Sequence, residues 1–240
     1  MIALYFYLFM LASSLVPTII MGASGEGWQL DHIALFLFFF VNIAVAIAIV
    51  LIKYKSLASI GIHKKNLWPA LRLGLLFSLI PLSISIVMGL LEGRELNPIG
   101  YMMFMLLLFF FYAACEDIIF VGFIQTRLYG LFKTDRIAVF VGSALFTLIH
   151  ILSRLVSNGI SFSILLQVLL WFLLYQIMVS LSQRYFSIIA VTLLHTSFNW
   201  ATSSVWESSG MISWIVFGAL LIAESVWRWN SRRHSSKMSE

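Results

Sequence analysis

Apolar residues occur along this chain in eight long runs that are separated by short polar segments. Most runs contain about 20 residues or more, the length that a helix needs to cross a bilayer. They lack the alternation of a β-barrel strand, and backbone groups in hydrocarbon must be satisfied within their own segment. The pattern therefore predicts an all-α polytopic membrane protein with about eight transmembrane helices. The runs lie at about residues 2–21, 33–52, 70–91, 99–126, 137–157, 160–182, 185–205 and 211–229.

Composition excludes a water-soluble globule. The 240 residues are 61% hydrophobic and only 10% charged, whereas a soluble domain is about 45–50% apolar and about 25% charged. Eight spans with short loops leave no room for a soluble domain. We expect a single transmembrane domain over residues 1–230, with the motifs described below at about 100–205, followed by a basic cytoplasmic tail at 231–240.

The basic residues predict the orientation in the membrane. With a cytoplasmic N-terminus and alternating spans, thirteen of the 15 Lys and Arg residues fall on the inner side, and only Arg94 and Arg154 fall outside. This bias is typical of cytoplasmic loops, so we expect both termini in the cytoplasm and a multi-pass location in the cell membrane. Membrane orientation also explains the isoelectric point of 9.5 better than nucleic-acid binding does.

Ionisable residues within the apolar runs are costly to bury in lipid and are therefore candidates for function. Glu224 precedes Arg228 by one helical turn near the inner boundary, which favours a simple ion pair between the two. The other candidates fall on three different runs. The full set is Glu116 and Asp117 in the fourth run, His150 in the fifth, His195 in the seventh and Glu224 in the eighth.

Helical spacing places most of these candidates on polar stripes. His195 and Asn199 lie one turn apart on one face, and His150 lies on a stripe of its own run. At a rise of about 1.5 Å per residue, Glu116, His150, His195 and Asn199 reach a similar depth, within about one turn. Asp117 lies about 100° round the helix from Glu116, so the two carboxylates need not point into the same space.

One carboxylate, two imidazoles and an amide at one depth suit hydrolysis. Glu116 is the only strong base among them, His150 is placed to orient water or share its proton, and His195 and Asn199 supply donors for a developing oxyanion. Two simpler readings remain open. An intramembrane histidine often only bonds neighbouring helices, and Cys115, the single cysteine, is conceivable as a nucleophile but more typical of apolar packing.

These residues resemble the CPBP intramembrane proteases (CAAX protease and bacteriocin-processing, also called Abi), which are related to the Ras-converting CAAX endopeptidase. That family carries Glu-Glu-x-x-Phe-Arg-Gly, Phe-x-x-x-His and His-x-x-x-Asn on separate spans. Here the second and third motifs match fully, and the first departs at Asp117 and at Val121, which replaces the motif arginine. The three segments are Glu116-Asp117-Ile118-Ile119-Phe120-Val121-Gly122, Phe146-Thr147-Leu148-Ile149-His150 and His195-Thr196-Ser197-Phe198-Asn199.

The resemblance implies catalytic roles for four residues. Glu116 would activate water with help from His150, and His195 and Asn199 would form the oxyanion site. Asp117 and Phe146 would support them. A metal-free mechanism is favoured, with zinc held by Glu116, His150 and His195 as the alternative.

The leading hypothesis is an intramembrane endopeptidase that acts within the lipid bilayer on a peptide or membrane-protein substrate. The alternative is a non-catalytic bacteriocin self-immunity protein of the same family. A small transporter would draw on the same intramembrane acids, but the sequence shows neither an inverted repeat nor a pair of Gly/Pro-broken helices.

Overall fold

The computed structural model is built from helices, and none of the described residues forms a β-strand. It describes the backbone of residues 2–24, 28–158, 162–205, 215–216 and 218–226, and the side chains of a narrower set within these ranges. A 3₁₀ turn at Leu57–Ile60 joins the second helix to the third. The α-helices are α1 Ile2–Ser24, α2 Trp28–Tyr54, α3 Leu67–Leu91, α4 Ile99–Asp117, α5 Thr126–Leu131, α6 Asp135–Asn158, α7 Phe162–Tyr185 and α8 Ile189–Ser203.

Four helical stretches are long and apolar enough to cross a membrane, and the chain is a multi-pass membrane protein. Within the described part of the chain they are Leu37–Tyr54, Leu67–Leu91, Ile99–Leu131 and Ile164–Tyr185. The all-helical class predicted from the sequence is confirmed, whereas the count of eight spans stays a prediction. Residues 218–226 are helical, while the rest of the eighth run and the tail at 231–240 lie outside the described residues.

The seventh apolar run is shorter as a helix than predicted. The run was expected over 185–205, but α8 begins only at Ile189 and contains 15 residues. The backbone at Phe186 adopts a positive φ of 48°, a conformation that interrupts a right-handed helix. At a rise of about 1.5 Å per residue, α8 is about 22 Å long and does not span the hydrocarbon by itself.

α8 lies in the middle of the bundle, where it packs against α3, α4 and α7. Gly74 of α3 permits this close approach, because a Cβ added there would lie 2.8 Å from the Cα of Ala190. Small residues allow helix backbones to come together in membranes in this way. The polar face of α8 is consequently enclosed by protein rather than turned toward lipid.

The fourth apolar run forms one continuous helical stretch with a change of winding at its centre. α4 ends at Asp117, residues Ile118–Gln125 form a π-helix of 8 residues, and α5 continues to Leu131. π-helical turns are rare and often occur at functional sites, because the extra residue per turn redirects side chains. In this chain the change of winding begins directly after Glu116 and Asp117.

Loops that the charge pattern predicts on one side of the membrane meet at one end of the bundle. The Arg127 guanidinium donates to the Ser59 carbonyl oxygen at 3.3 Å, and the Asn66 side-chain amide donates to the Tyr185 carbonyl oxygen at 2.8 Å. At the other end, the Asn97 side chain donates to the Ser204 carbonyl oxygen at 3.1 Å. The bundle thus has two distinct ends joined by the long apolar helices.

Candidate active site

Two histidines from two helices converge on one carboxylate oxygen of a third helix. Glu116 stands at the end of α4, His150 on α6 and His195 on α8. The Oε2 atom of Glu116 lies 3.4 Å from Nε2 of His150 and 3.7 Å from Nε2 of His195. Both distances exceed an ordinary N–H···O hydrogen bond of about 2.7–3.2 Å, so the three groups form an open cluster.

His195 lies between two carboxylates. Its Nδ1–H faces Oδ1 of Asp117 at 3.1 Å, while its Nε2 faces Glu116. His195 is 1% exposed and Asp117 is fully buried. Glu116 and Asp117 lie about 100° apart around their helix, so the sequence did not show whether both contact the same group. Both face the His195 ring, because its two nitrogens lie on different edges and each faces a different carboxylate.

A backbone carbonyl group holds the His150 ring so that, like His195, it presents Nε2 to Glu116. Its Nδ1–H donates to the Phe146 carbonyl oxygen at 2.8 Å, one helical turn earlier. A carbonyl oxygen accepts only, so Nδ1 carries a proton, and Nε2 is the ring nitrogen left to face Glu116. Both imidazoles therefore fix Nδ1 on a protein acceptor and present Nε2 to Glu116.

Aromatic rings form the wall behind His150. The imidazole stacks on Trp171 of α7, with ring centroids 4.6 Å apart and planes at 27°. The centroids of the His150 and Phe146 rings are 4.2 Å apart. Phe146 in turn stacks on Tyr175 at 4.9 Å. Sequence reasoning missed Trp171 and Tyr175, because a chain that is 15% aromatic gives no local signal that singles out either ring.

The π-helical segment is tied to this wall and to the neighbouring loop. The Tyr175 hydroxyl donates to the Phe120 carbonyl oxygen at 3.0 Å, which satisfies a backbone group within the irregular segment. Gly122 permits the contact with the 3₁₀ turn, because a Cβ added there would lie 2.7 Å from the Ile60 carbonyl oxygen. These contacts hold the helix end that carries Glu116 and Asp117.

Solvent access differs across the cluster. The side chains of Glu116 and His150 are 16% and 18% exposed, whereas His195 and Asp117 are sealed. Asn199, one turn beyond His195 on α8, is partly exposed and lies outside the contacts just described. The Glu116–His150 edge is therefore the part of the cluster that a water molecule and a substrate can reach.

The structure also describes three other residues that the sequence singled out. Cys115 packs in the apolar core as an ordinary buried residue, and Val121, at the motif arginine position, also lies there, 2% exposed. The ion pair expected between Glu224 and Arg228 stays a prediction. Glu224 is buried and its Oε1 accepts from the Ser180 hydroxyl at 2.6 Å, because helix 218–226 turns it toward α7; Arg228 lies outside the described residues.

Zinc held by Glu116, His150 and His195 is the alternative to a metal-free site. Within the described part of the chain, no group of three or more His, Cys, Asp or Glu side chains is arranged to hold a metal ion. The Nδ1 atoms of His150 and His195 are each engaged by a protein acceptor, as in zinc-ligating histidines, and their Nε2 atoms face one Glu116 oxygen. The zinc alternative stays a prediction, and no step below depends on a metal.

Comparison with protein families identifies the segment that contains the three motifs. Residues 98–201 match the family described as type II CAAX prenyl endopeptidase Rce1-like. The resemblance to the CPBP family is thereby confirmed over α4 to α8, the part of the chain that carries the cluster. A comparison with curated proteins finds no significant match.

Proposed function

We propose that this chain, whose residues 98–201 match the Rce1-like CAAX endopeptidases, is an intramembrane endopeptidase. Its substrate is a peptide or a membrane-anchored precursor, which is hydrolysed by a water molecule that Glu116 activates. The family match supports protease activity of this general type. The single observation that carries the glutamate mechanism is the convergence of two Nε2 atoms on one Glu116 oxygen, at 3.4 and 3.7 Å.

Water enters at the exposed edge between Glu116 and His150. Its oxygen attacks the scissile carbonyl carbon while one of its protons passes to Glu116. The Nδ1 proton of His150 is committed to the Phe146 carbonyl oxygen, so its Nε2 is the nitrogen that orients the water. When the tetrahedral intermediate collapses, the carbon–nitrogen bond breaks and the proton moves from Glu116 to the leaving amine, so one water is consumed for each bond cleaved.

His195 and Asn199 are proposed to stabilise the oxyanion. The Asn199 amide is partly exposed on the same face of α8 as His195 and supplies an N–H donor. Positive charge that develops on His195 faces Asp117 on one side and Glu116 on the other. A buried carboxylate that accepts Nδ1–H fixes the ring orientation in this way in other catalytic sites.

The proposal is tested by comparing peptides in membranes that express wild-type protein, Glu116→Gln or Glu224→Gln. Glu224→Gln is a matched control, because Glu224 is also a buried intramembrane carboxylate but lies away from the cluster. Mass spectrometry is expected to find processed peptides in wild type and in Glu224→Gln and to lose them in Glu116→Gln. Identical peptide profiles for all three proteins would refute catalysis by Glu116.

The second candidate function is bacteriocin self-immunity without catalysis. The observation that favours it is Val121, which occupies the position of the motif arginine and is buried in the apolar core. An immunity protein that acts by binding is expected to protect cells equally well with Glu116→Gln as with wild type. A protease-dependent function is expected to lose protection with that substitution, which a growth assay with the bacteriocin measures.

We also propose that the protein resides in the cell membrane with both termini in the cytoplasm. The positive-inside distribution of Lys and Arg supports this orientation. Fusions of a cytoplasm-active and a periplasm- or exterior-active reporter to the C-terminus test it directly. Activity of only the cytoplasmic reporter is expected, and activity of only the exterior reporter would reverse the assignment.

A further inference from the structure

A second cavity lies at the end of the bundle where three candidate spans finish. Those spans end at Tyr54, Leu131 and Tyr185, and the cavity has a volume of about 690 Å³. None of the residues of the candidate active site lines it. A cavity at this height opens at the boundary between the hydrocarbon and the aqueous phase, which the charge pattern predicts to be the cytoplasmic one.

The lining of this cavity is basic. Lys53 and Arg127 contribute to it, and the lining residues that the structure describes include no acidic side chain. The Arg127 guanidinium is held in place: it donates to the Ser59 carbonyl and hydroxyl oxygens, each at 3.3 Å, and lies 4.5 Å from the centroids of the Tyr54 and Phe123 rings. Lys53 is exposed at the rim.

Hydroxyl groups and apolar side chains complete the cavity. Tyr54 and Tyr129 bring hydroxyls to its wall, and hydroxyls of this kind bond phosphate oxygens. The Thr126 hydroxyl also lines the wall, but it donates to the Gly122 carbonyl oxygen. Leu131 and Phe186 also line it, and they are 47% and 46% exposed. The cavity thus combines fixed positive charge and hydroxyls with an apolar edge that faces the lipid.

We propose that this cavity binds the headgroup of an anionic phospholipid. Basic pockets between membrane helices suit phosphate headgroups, and the volume is within the range of ordinary ligand sites, about 300–1,000 Å³. The acyl chains then leave along Leu131 and Phe186 into the bilayer. Free inorganic phosphate shares the anionic group but gains nothing from this apolar edge, so the lipid is the favoured occupant. This inference does not depend on the proposed protease activity.

Native mass spectrometry of the full chain, purified and exposed to equal amounts of phosphatidylglycerol and phosphatidylcholine, tests the proposal. The wild-type protein is expected to retain phosphatidylglycerol preferentially. Lys53→Gln is expected to reduce that retention about fivefold, the effect of one cationic side chain near a membrane surface. Lys65→Gln removes the same charge from an exposed position outside the cavity and is expected to behave as wild type.

A second pair of variants tests the cavity itself rather than its charge. Gly130 lines the cavity, and a Cβ added there meets nothing within 4 Å, so Gly130→Leu fills space without a clash. Gly100→Leu is the matched control, since Gly100 is equally open but lies on α4 away from the cavity. Gly130→Leu is expected to lower phosphatidylglycerol retention, and Gly100→Leu is expected to leave it unchanged.

Three outcomes would overturn the proposal. The first is equal retention of the two lipids by wild-type protein, and the second is an equal effect of each test variant and its control. The third is displacement of phosphatidylglycerol by an equal concentration of inorganic phosphate. That result would show that the cavity recognises an anion alone and not a lipid.

Discussion

His195 and His150 face the same Glu116 oxygen from surroundings that differ in almost every respect. His195 is 1% exposed, and its second nitrogen meets the buried carboxylate of Asp117. His150 is 18% exposed, its second nitrogen meets a backbone carbonyl, and its ring stacks on Trp171. One side of Glu116 is thus a sealed contact backed by a second carboxylate, and the other is an aromatic wall open to solvent.

This difference predicts different roles for the two histidines. A buried ion-pairing group stabilises a fold only while its partners remain, because a charge left alone in a low-dielectric interior is costly. An exposed group beside a base contributes through the water and substrate that reach it. We therefore expect changes on the His195 side to affect the fold as well as the reaction, and changes on the His150 side to affect mainly the reaction.

The largest effect is expected from His195→Ala. It removes the partner of Asp117, which is fully buried, and breaking a buried pair costs about 3–5 kcal/mol. Thermal unfolding in detergent, followed by tryptophan fluorescence, is expected at a clearly lower temperature, together with loss of activity. His63→Ala, which removes a loop hydrogen bond and a ring stack on Phe186, is the control and is expected to change the midpoint less. Equal midpoints for the two variants would contradict the role of the sealed side.

His150→Ala is expected to separate activity from stability. Loss of a group that assists proton transfer lowers the rate by about 10²–10⁴-fold, while the vacated position is partly open to solvent and leaves no buried charge. Peptide processing should fall to this extent, with an unfolding midpoint close to that of wild type. A midpoint as low as that of His195→Ala would show that the two sides do not differ as described.

The sequence predicted much of this arrangement for an identifiable reason. A histidine or glutamate within an apolar run is costly in lipid, so Glu116, His150 and His195 stand out against their surroundings. The rise per residue of a helix then predicts that they lie at one depth in the membrane, without knowledge of how the helices pack. The contact between His195 and Asp117 could not be derived in this way, because it depends on where α8 lies relative to α4.

Other features left no local trace in the sequence. The π-helix at Ile118–Gln125 depends on contacts from outside the segment, such as that of Tyr175 with the Phe120 carbonyl. Trp171 is one of 8 tryptophans, and nothing in its local sequence signals the stack on His150. The bond from Ser180 to Glu224 joins two helices, so no pattern within either segment predicts it.

Asp117→Asn tests whether the negative charge opposite the buried His195 ring matters for activity. The amide oxygen can still accept from Nδ1 of His195, but the negative charge opposite the ring is removed. Activity is expected to fall about 100-fold, mainly in kcat, with little change in KM. Asp117→Glu restores the acid that the family motif carries and is expected to retain more activity than Asp117→Asn. Equal activity of the two variants would show that the charge at this position is unimportant.

The smallest effect is expected on the open side, from Trp171→Leu. Aromatic contacts contribute about 0.5–1.5 kcal/mol, and loss of the stack on His150 should lower activity by up to about tenfold. Trp171→Phe keeps a ring at this position and is expected to lose less. Trp68→Leu, at a position that is 67% exposed, is the control. Steady-state rates of peptide cleavage for the three variants test this order.

The central claim is that water, and not a protein nucleophile, attacks the scissile bond. The most direct test uses a peptide whose cleavage is lost in Glu116→Gln, incubated with wild-type protein in ¹⁸O-labelled water containing hydroxylamine. Direct attack by water predicts products whose new carboxylate carries ¹⁸O, with no peptide hydroxamate. A hydroxamate would reveal an acyl-enzyme formed on a side chain such as Cys115, and it would contradict the glutamate mechanism.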